Sequence, residues 1–366
     1  MKGKNSPKLP DDTDSLDSLR EFYKRERTRK VRIDSPIKQF NRFLEENEYE
    51  IEDIGAKQAA EFAAYLRGEG LAEHTVSTYY SQLTVFVSWY QSRGVFDYNP
   101  FDIATDDRVE FNLPDTVKRH VELDDLRSYI KTIRDPSLLT FVVLLLKTGI
   151  RLAEAYNLDL RDINLDHPLS SSMPDVRAEI YGDSDVIYID STIEADEYNG
   201  ETRERANKKN STRILPIDSE LKNTLVWYIA QIPPSPSPAN PLFRQSRHNM
   251  GQRTSYTAHR NRFNRWAEEH GLRDRENKLN VSPHWCRHWF TTQLRQRIDN
   301  ENNEIKIGTV KGFVKTLRGD TDDDVIDIYT HNWGDNSWIK SVYQNNIPSL
   351  FTGISEGHYE RMHPDQ

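Results

Sequence analysis

Apolar residues recur at helical spacing through the first hundred positions. Ile37, Phe40, Phe43 and Leu44 form one stripe, and Ala59, Phe62, Ala63 and Leu66 form a second that Gly68 and Gly70 end. Thr75 is placed to cap a third helix, with Val76, Tyr79, Tyr80, Leu83, Val87 and Tyr90 on one face and Gly94 after it. Asn99-Pro100 closes this unit. The pattern predicts a helical domain over residues 20–104, built from three or four amphipathic helices, with no catalytic cluster inside it. Residues 1–19 are polar and predict disorder, and residues 105–118, without a period and broken by Pro114, predict a linker.

A different pattern begins at 121. VELDDLRSYI reads as a helix, and Pro136 starts the strongly apolar PSLLTFVVLLLKTG, which Gly149 stops. AEIYG (178–182) and VIYID (186–190) alternate as strands do, with Gly182-Asp183 between them as a hairpin signal. RILPI (213–217) is a third strand candidate, PPSPSPANP (233–241) a rigid loop, and helices follow over about 254–271, 283–297 and 336–347. The second domain, 119–350, is therefore mainly α with a small antiparallel β-sheet, followed by a tail over 351–366. The longest apolar stretch, Leu138 to Leu146, is interrupted by Thr140 and too short for a bilayer, and the N-terminus has no signal-peptide pattern. The single Cys286 excludes an intramolecular disulfide framework. These features predict a cytoplasmic protein.

The net charge of −9 argues against a nucleic-acid partner only on average. Lys and Arg cluster at 24–32, 203–213 and 244–265, while acid concentrates at 45–53, 183–202 and 320–327. Binding depends on local basic surface, so the islands keep DNA in play.

The sharpest chemical signal is SPHWCRHWFTTQL (282–294). Ser282 is a natural N-cap and Pro283 a natural first helical residue, so His284, Arg287 and His288 share one face near the positive end of a helix. Two imidazoles and a guanidinium there make an anion site, against the plainer reading of a polar face with incidental histidines. Arg151 follows the apolar helix at its turn; held near the interior, it needs either a carboxylate, for which Glu154 is the local candidate, or a bound phosphate. NKKNSTRILPI (207–217) puts two lysines in a turn before a strand, which reads as a solvated tip or as a mobile lysine that reaches a phosphate. Taken together, two arginines to neutralise non-bridging oxygens, a histidine base and a lysine acid suit phosphoryl transfer. No aspartate cluster has metal-ligand spacing and no Walker-type loop is present, so neither metal nor other cofactor is expected. The attacking group is then a protein side chain, and tyrosines lie downstream.

On these motifs the chain resembles the tyrosine recombinases, that is, phage integrases and Xer-type recombinases, especially archaeal members. The resemblance covers about residues 30–350 in the family's order. The helical unit resembles the core-binding domain, and the second unit the catalytic domain. TGIRLAEAYNLDLRDIN is similar to the first arginine box, which implies Arg151 as first arginine and Glu154 as its acidic companion. NKKNSTRILPI is similar to the lysine hairpin, implying Lys208, with Lys209 as second choice, as the catalytic lysine. HWCRHWFTT is similar to the His-x-x-Arg-His box, giving His284, Arg287 and His288. DIYTHNW (327–333) is similar to the tyrosine segment, implying Tyr329 as nucleophile, with Tyr343 as the competing position and, failing that, a packing residue of the last helix.

Two departures stand out. Asp320, nine residues before Tyr329, occupies the place of the family's His or Trp, and an ionised carboxylate cannot donate to a phosphate oxygen; the role would be missing or moved to His331 or Trp333. Residues 297–312 are also longer than the family's usual connection.

The resemblance implies a site-specific recombinase that cleaves double-stranded DNA through a 3′-phosphotyrosyl link and works as a homo-tetramer on paired sites, with accessory DNA-bending proteins as further partners. In the family the C-terminal segment often docks on a neighbour, which residues 344–366 would do here unless they are a loose tail. Three alternatives stay open: a DNA-binding member that has lost catalysis, a type IB topoisomerase-like enzyme, and a helical interaction protein without a nucleic-acid role.

Overall fold

In the first unit of the computed structural model, every predicted apolar stripe becomes a buried helix face. The structure describes residues 15–27, 32–113, 120–274, 279–300, 309–320 and 337–351, and the chain divides into two units, up to residue 116 and from residue 117. The first contains α1 (Leu16–Glu26), α2 (Asp34–Asn47), α3 (Ala56–Gly68), α4 (Glu73–Gln91) and α5 (Pro100–Asp107). Its core is aromatic: Phe40 meets Phe62 and Phe101 edge-on at centroid separations of 5.0 and 5.4 Å.

Four expectations shift here. Helix α1 begins inside the stretch predicted to be disordered, because Ser15 caps it and Leu16, Leu19, Phe22 and Tyr23 are buried; the Tyr90 hydroxyl also donates to the Leu19 carbonyl at 2.6 Å. Thr75 lies within the first turn of α4, not at its cap, which is Ala72. Asn99-Pro100 opens a helix and does not close the unit. The Asn99 side chain accepts from Phe101 N at 3.0 Å while its amide donates to the Thr84 carbonyl at 2.9 Å. Since Val109 is buried and Phe111 packs on the same core, the first unit runs past residue 105, where the linker was expected.

The second unit contains α6 (Leu123–Ile130), α7 (Pro136–Thr148), α8 (Leu152–Asn157), α9 (Ser219–Ile229), α10 (Tyr256–Glu269), α11 (Pro283–Asn300), α12 (Val310–Arg318) and α13 (Ser337–Asn346). Helix α7 is its centre. Asp135 caps it, and every residue from Leu139 to Thr148 is buried, chiefly against α9 and α11. Each large apolar side chain sheltered this way contributes about 1.5–3 kcal/mol. Gly149 ends α7 with φ +61°, and a Cβ there would lie 2.4 Å from Cδ1 of Phe290 on α11. Glycine at this position is therefore what lets α11 cross close to the end of α7.

The strands are β1 (Ile163–Asn164), β2 (Val186–Ile189), β3 (Glu197–Tyr198), β4 (Glu201–Thr202), β5 (Arg213–Pro216), β6 (Arg273–Asp274) and β7 (Leu279–Asn280). The main sheet has the order β1-β2-β5 and is antiparallel, with Ile187 opposite Ile163 on one side and Leu215 on the other. The expected strand at 178–182 is instead a single 3-10 turn, Ala178–Ile180. Its place beside β2 belongs to β1, whose Asn164 amide holds the Ile180 and Asp183 carbonyls at 2.9 and 2.7 Å. Gly182-Asp183 is consequently not a hairpin turn between paired strands.

The C-terminal part of the unit is anchored by one buried charge. Lys147, 0 % exposed on apolar α7, reaches Asp218 at 2.5 Å, Glu220 at 2.6 Å and the Pro348 carbonyl at 2.8 Å. Glu220 in turn accepts from Leu350 N at 2.7 Å and Phe351 N at 3.0 Å. Residues 344–351 thus dock on their own chain, with Ile347 and Leu350 in the core.

Candidate active site

The site begins where α7 stops. Arg151 is the N-cap of α8, and its backbone N–H donates to Glu154 Oε2 at 2.8 Å while its Nη1 donates to Oε1 at 2.8 Å. Glu154 has a second partner from β5: Arg213 Nη2 lies 2.8 Å from Oε2. Burial alone would raise the Glu154 carboxyl, but Arg213 and then Arg151 outweigh it and hold it at about 2. A carboxyl depressed on folding stabilises the fold above its unfolded value, about 4.3, and that contribution disappears as pH falls toward 2. We expect the denaturation midpoint to drop across this window, and the drop to be shallower in Glu154→Gln; equal slopes for the two chains would contradict the assignment.

Helix α11 delivers Arg287 from the opposite side. Arg287 is 2 % exposed and donates to the Gly149 carbonyl at 2.6 Å and the Arg318 carbonyl at 2.7 Å. Burial, then Arg151, pushes its guanidinium down to about 9, which leaves it charged at neutral pH. The C-terminus of α12 gathers the three arginines: Arg213 Nε binds the Leu317 carbonyl at 2.7 Å, Arg287 that of Arg318, and Arg151 that of Gly319 at 3.4 Å. Unpaired carbonyls and the negative end of a helix dipole favour cations there. Gly319, with φ +64°, is what permits the approach, since a Cβ would lie 2.4 Å from Arg213 Nη1.

The next residue, Asp320, sits between the arginines. Its Oδ1 accepts from Arg151 Nη2 at 2.6 Å and from Arg287 Nη2 at 2.7 Å, and its Oδ2 lies 3.0 Å from Arg318 Nη2. Burial would raise this carboxyl; Arg287, Arg318 and Arg151 together hold it below its ordinary value. Two guanidinium groups from distant parts of the chain thus share one anionic oxygen, the arrangement that a phosphate's non-bridging oxygen requires.

The remaining predicted residues are distributed unevenly around this pair. His284 is exposed at the start of α11, and its Nε2 lies 3.0 Å from that of His288. Burial, then Arg287, lowers its pKa, which favours the neutral imidazole that can accept a proton. Lys208 is exposed, and its carbonyl accepts from Ser211 Oγ at 2.5 Å. The Ser211 carbonyl accepts from Arg213 at 2.8 Å, which ties the lysine turn to the arginine cluster. Lys209 pairs with Glu194 at 3.2 Å. Tyr343 is 1 % exposed; its hydroxyl donates to the Lys147 carbonyl at 2.8 Å, and burial raises its pKa well above that of an ordinary phenol. Its environment is that of a packing residue. Tyr329, His331 and Trp333 lie outside the described residues.

Arg151, Arg287 and His284 open onto a cleft of about 880 Å³ that is also lined by Arg260, Arg265 and Arg273. Glu268 is the acidic residue on its wall, so the local charge is strongly positive despite the net −9 of the chain. The basic islands of the sequence contribute less surface than their composition suggests. Arg203, Arg213, Arg244 and Arg253 are buried. Arg203 and Arg253 both grip the buried Asp159, the former at 2.8 Å. No sequence signal pointed to Arg318 as a third partner for Asp320.

A family model for the phage integrase SAM-like domain matches residues 16–108. Tyrosine recombinase XerC of Staphylococcus epidermidis is 31% identical over 138 residues, 36% of this chain and 44% of that protein. A tyrosine recombinase of Thermosipho africanus is 24% identical over 302 residues, 80% of this chain and 86% of that protein. In these matches the chain is similar to the tyrosine recombinases and phage integrases. Among solved structures, the Tn1549 transposon integrase in complex with a circular intermediate DNA gives a TM-score of 0.59 at 16% identity, covering 94% of this chain and 98% of that one. A lambda integrase dimer bound to a core site gives 0.57 at 15%, covering 86% and 76%. The fold is thus the two-domain tyrosine recombinase architecture, mainly α with small antiparallel sheets. The matched segment spans less than half the length of the XerC relative, and no helix among the described residues is long and apolar enough to cross a membrane.

Proposed function

We propose that this chain is a tyrosine recombinase, a site-specific recombinase or integrase that cuts and rejoins double-stranded DNA through a 3′-phosphotyrosyl intermediate. The observation that carries the reading is the convergence of Arg151 and Arg287 on one anionic oxygen, at 2.6 and 2.7 Å, at the wall of a cationic cleft. Donors fixed where charge develops stabilise a pentavalent phosphate without reorganising during the reaction.

In the proposed sequence, the phenol oxygen of Tyr329 attacks a scissile phosphorus and the bond to the 5′-oxygen breaks. The neutral imidazole of His284, or of His288 through their shared hydrogen bond, takes the phenol proton. Lys208 donates a proton to the departing 5′-oxygen. Arg151 and Arg287 neutralise the non-bridging oxygens. A 5′-hydroxyl from the partner duplex then reverses the step, so the ester itself conserves the bond energy and no cofactor is needed. The assembly on paired sites is a homo-tetramer, the compartment is the cytoplasm, and Arg260 and Arg265 are suited to contact flanking phosphates.

The test is a nicked suicide duplex carrying a site selected from random DNA by the full chain. The expected result is a detergent-resistant protein–DNA adduct that forms in the presence of EDTA. Asp320, seated between the arginines, is the observation that favours a binding-only member; a mobility shift without any adduct would establish that alternative.

A further inference from the structure

We propose that Asp320 is a built-in stand-in for the scissile phosphate, occupying the two-arginine site until a DNA phosphodiester expels it. The inference rests on the recombinase reading above and adds a means of keeping that site closed in the absence of substrate.

Three observations carry it. First, a single oxygen, Asp320 Oδ1, takes a hydrogen bond from each of Arg151 and Arg287. A phosphate oxygen that used both donors would need the same volume, so carboxylate and phosphate exclude one another there. Second, the carboxylate is no part of the scaffold that positions the arginines. Arg287 is held by the Gly149 and Arg318 carbonyls, and Arg151 by Glu154 and the Gly319 carbonyl. Glu154, fully enclosed and shared with Arg213, has the properties of a permanent partner. Asp320 differs, with 29% of its side chain exposed. Third, the Asp320 backbone is fixed independently, its N–H donating to the Lys315 carbonyl at 3.0 Å at the end of α12. A rotamer change therefore withdraws the carboxylate without moving the helix. Because it is ionised in this setting, it offers no proton to a phosphate oxygen and repels one, so assisting the bound phosphate is excluded as its role.

Inorganic sulfate is the probe, because its binding requires no cleavage. The apparent affinity of a site that is competent only a fraction of the time is reduced by that fraction. Asp320→Asn, which keeps the shape and loses the charge, is expected to bind sulfate about tenfold more tightly than the unaltered chain by calorimetry, whereas Asp320→Glu remains as weak. Sulfate affinity in a folded Asp320→Asn equal to or below that of the unaltered chain would overturn the proposal. A crystal structure of the unaltered chain soaked in sulfate gives an independent answer should that variant not fold. Sulfate between Arg151 and Arg287 with Asp320 turned away supports it, and Asp320 still seated beside a sulfate bound elsewhere refutes it. If sulfate affinity rises as expected but no variant forms an adduct with suicide DNA, the stand-in survives and the recombinase reading falls. If an adduct forms while sulfate affinity stays unchanged, the recombinase reading survives and the stand-in falls.

Discussion

Tyr329→Phe is expected to bind its DNA site normally and to form no covalent adduct, while Tyr343→Phe forms the adduct at close to the normal rate. The first half follows from chemistry: a phenyl ring has no oxygen with which to make the ester. The second half follows from structure. Tyr343 is buried on α13 with its hydroxyl committed to the Lys147 carbonyl, so its replacement removes a hydrogen bond at a cost of about 1 kcal/mol of stability and leaves the cleft untouched. A melting curve and a suicide-substrate gel on the two variants read both effects. Adduct formation by Tyr329→Phe with none by Tyr343→Phe would transfer the nucleophile to α13 and require that helix to leave the core.

Arg287→Ala is expected to slow cleavage by roughly 10²–10³-fold, the cost typical of removing one fixed donor to a developing oxyanion, with duplex binding largely retained, since duplex affinity is a sum over many phosphate contacts and loses little with one. Arg287 also ties the Gly149 and Arg318 carbonyls together, so its removal loosens the α11–α12 contact as well. Arg287→Lys separates the effects: it keeps a cation but cannot serve both carbonyls and the anion at once. Single-turnover cleavage and binding, measured beside thermal melting, check the prediction. Unchanged cleavage by a folded Arg287→Ala would sink the two-arginine site.

How much of this was legible in the sequence depends on the range of the contact. The α7 core helix, its Gly149 stop and the Ser282 cap before α11 are local signals, and each appears where the pattern put it. The Arg151–Glu154 pair is also local, three residues apart along a helix start. The partners that complete the site are not local. Arg213 meets Glu154 across 59 residues, and Asp320 meets Arg151 across 169. Nothing in local spacing marks such pairs. Alternation misled at 178–182 because a short apolar-polar run also suits one 3-10 turn with buried Ile180. The basic islands misled for a related reason. Composition counts Arg203 and Arg253 as surface charge, but the buried carboxylate of Asp159 draws both inward. The C-terminal segment was equally ambiguous, since only the fold reveals Lys147 and Glu220 waiting for residues 348–351.

That clasp constrains how copies of the chain can be linked. Handing α13 and residues 347–351 to a neighbour would strip the buried Lys147 ammonium of a carbonyl ligand and leave the half-buried Glu220 short of two amide donors. Reciprocal strand or helix exchange would have to rebuild the same set of bonds in the recipient before it gained anything. A copy of the chain that keeps residues 347–351 in place keeps this whole set of bonds, so the clasp favours a C-terminal segment that stays with its own unit.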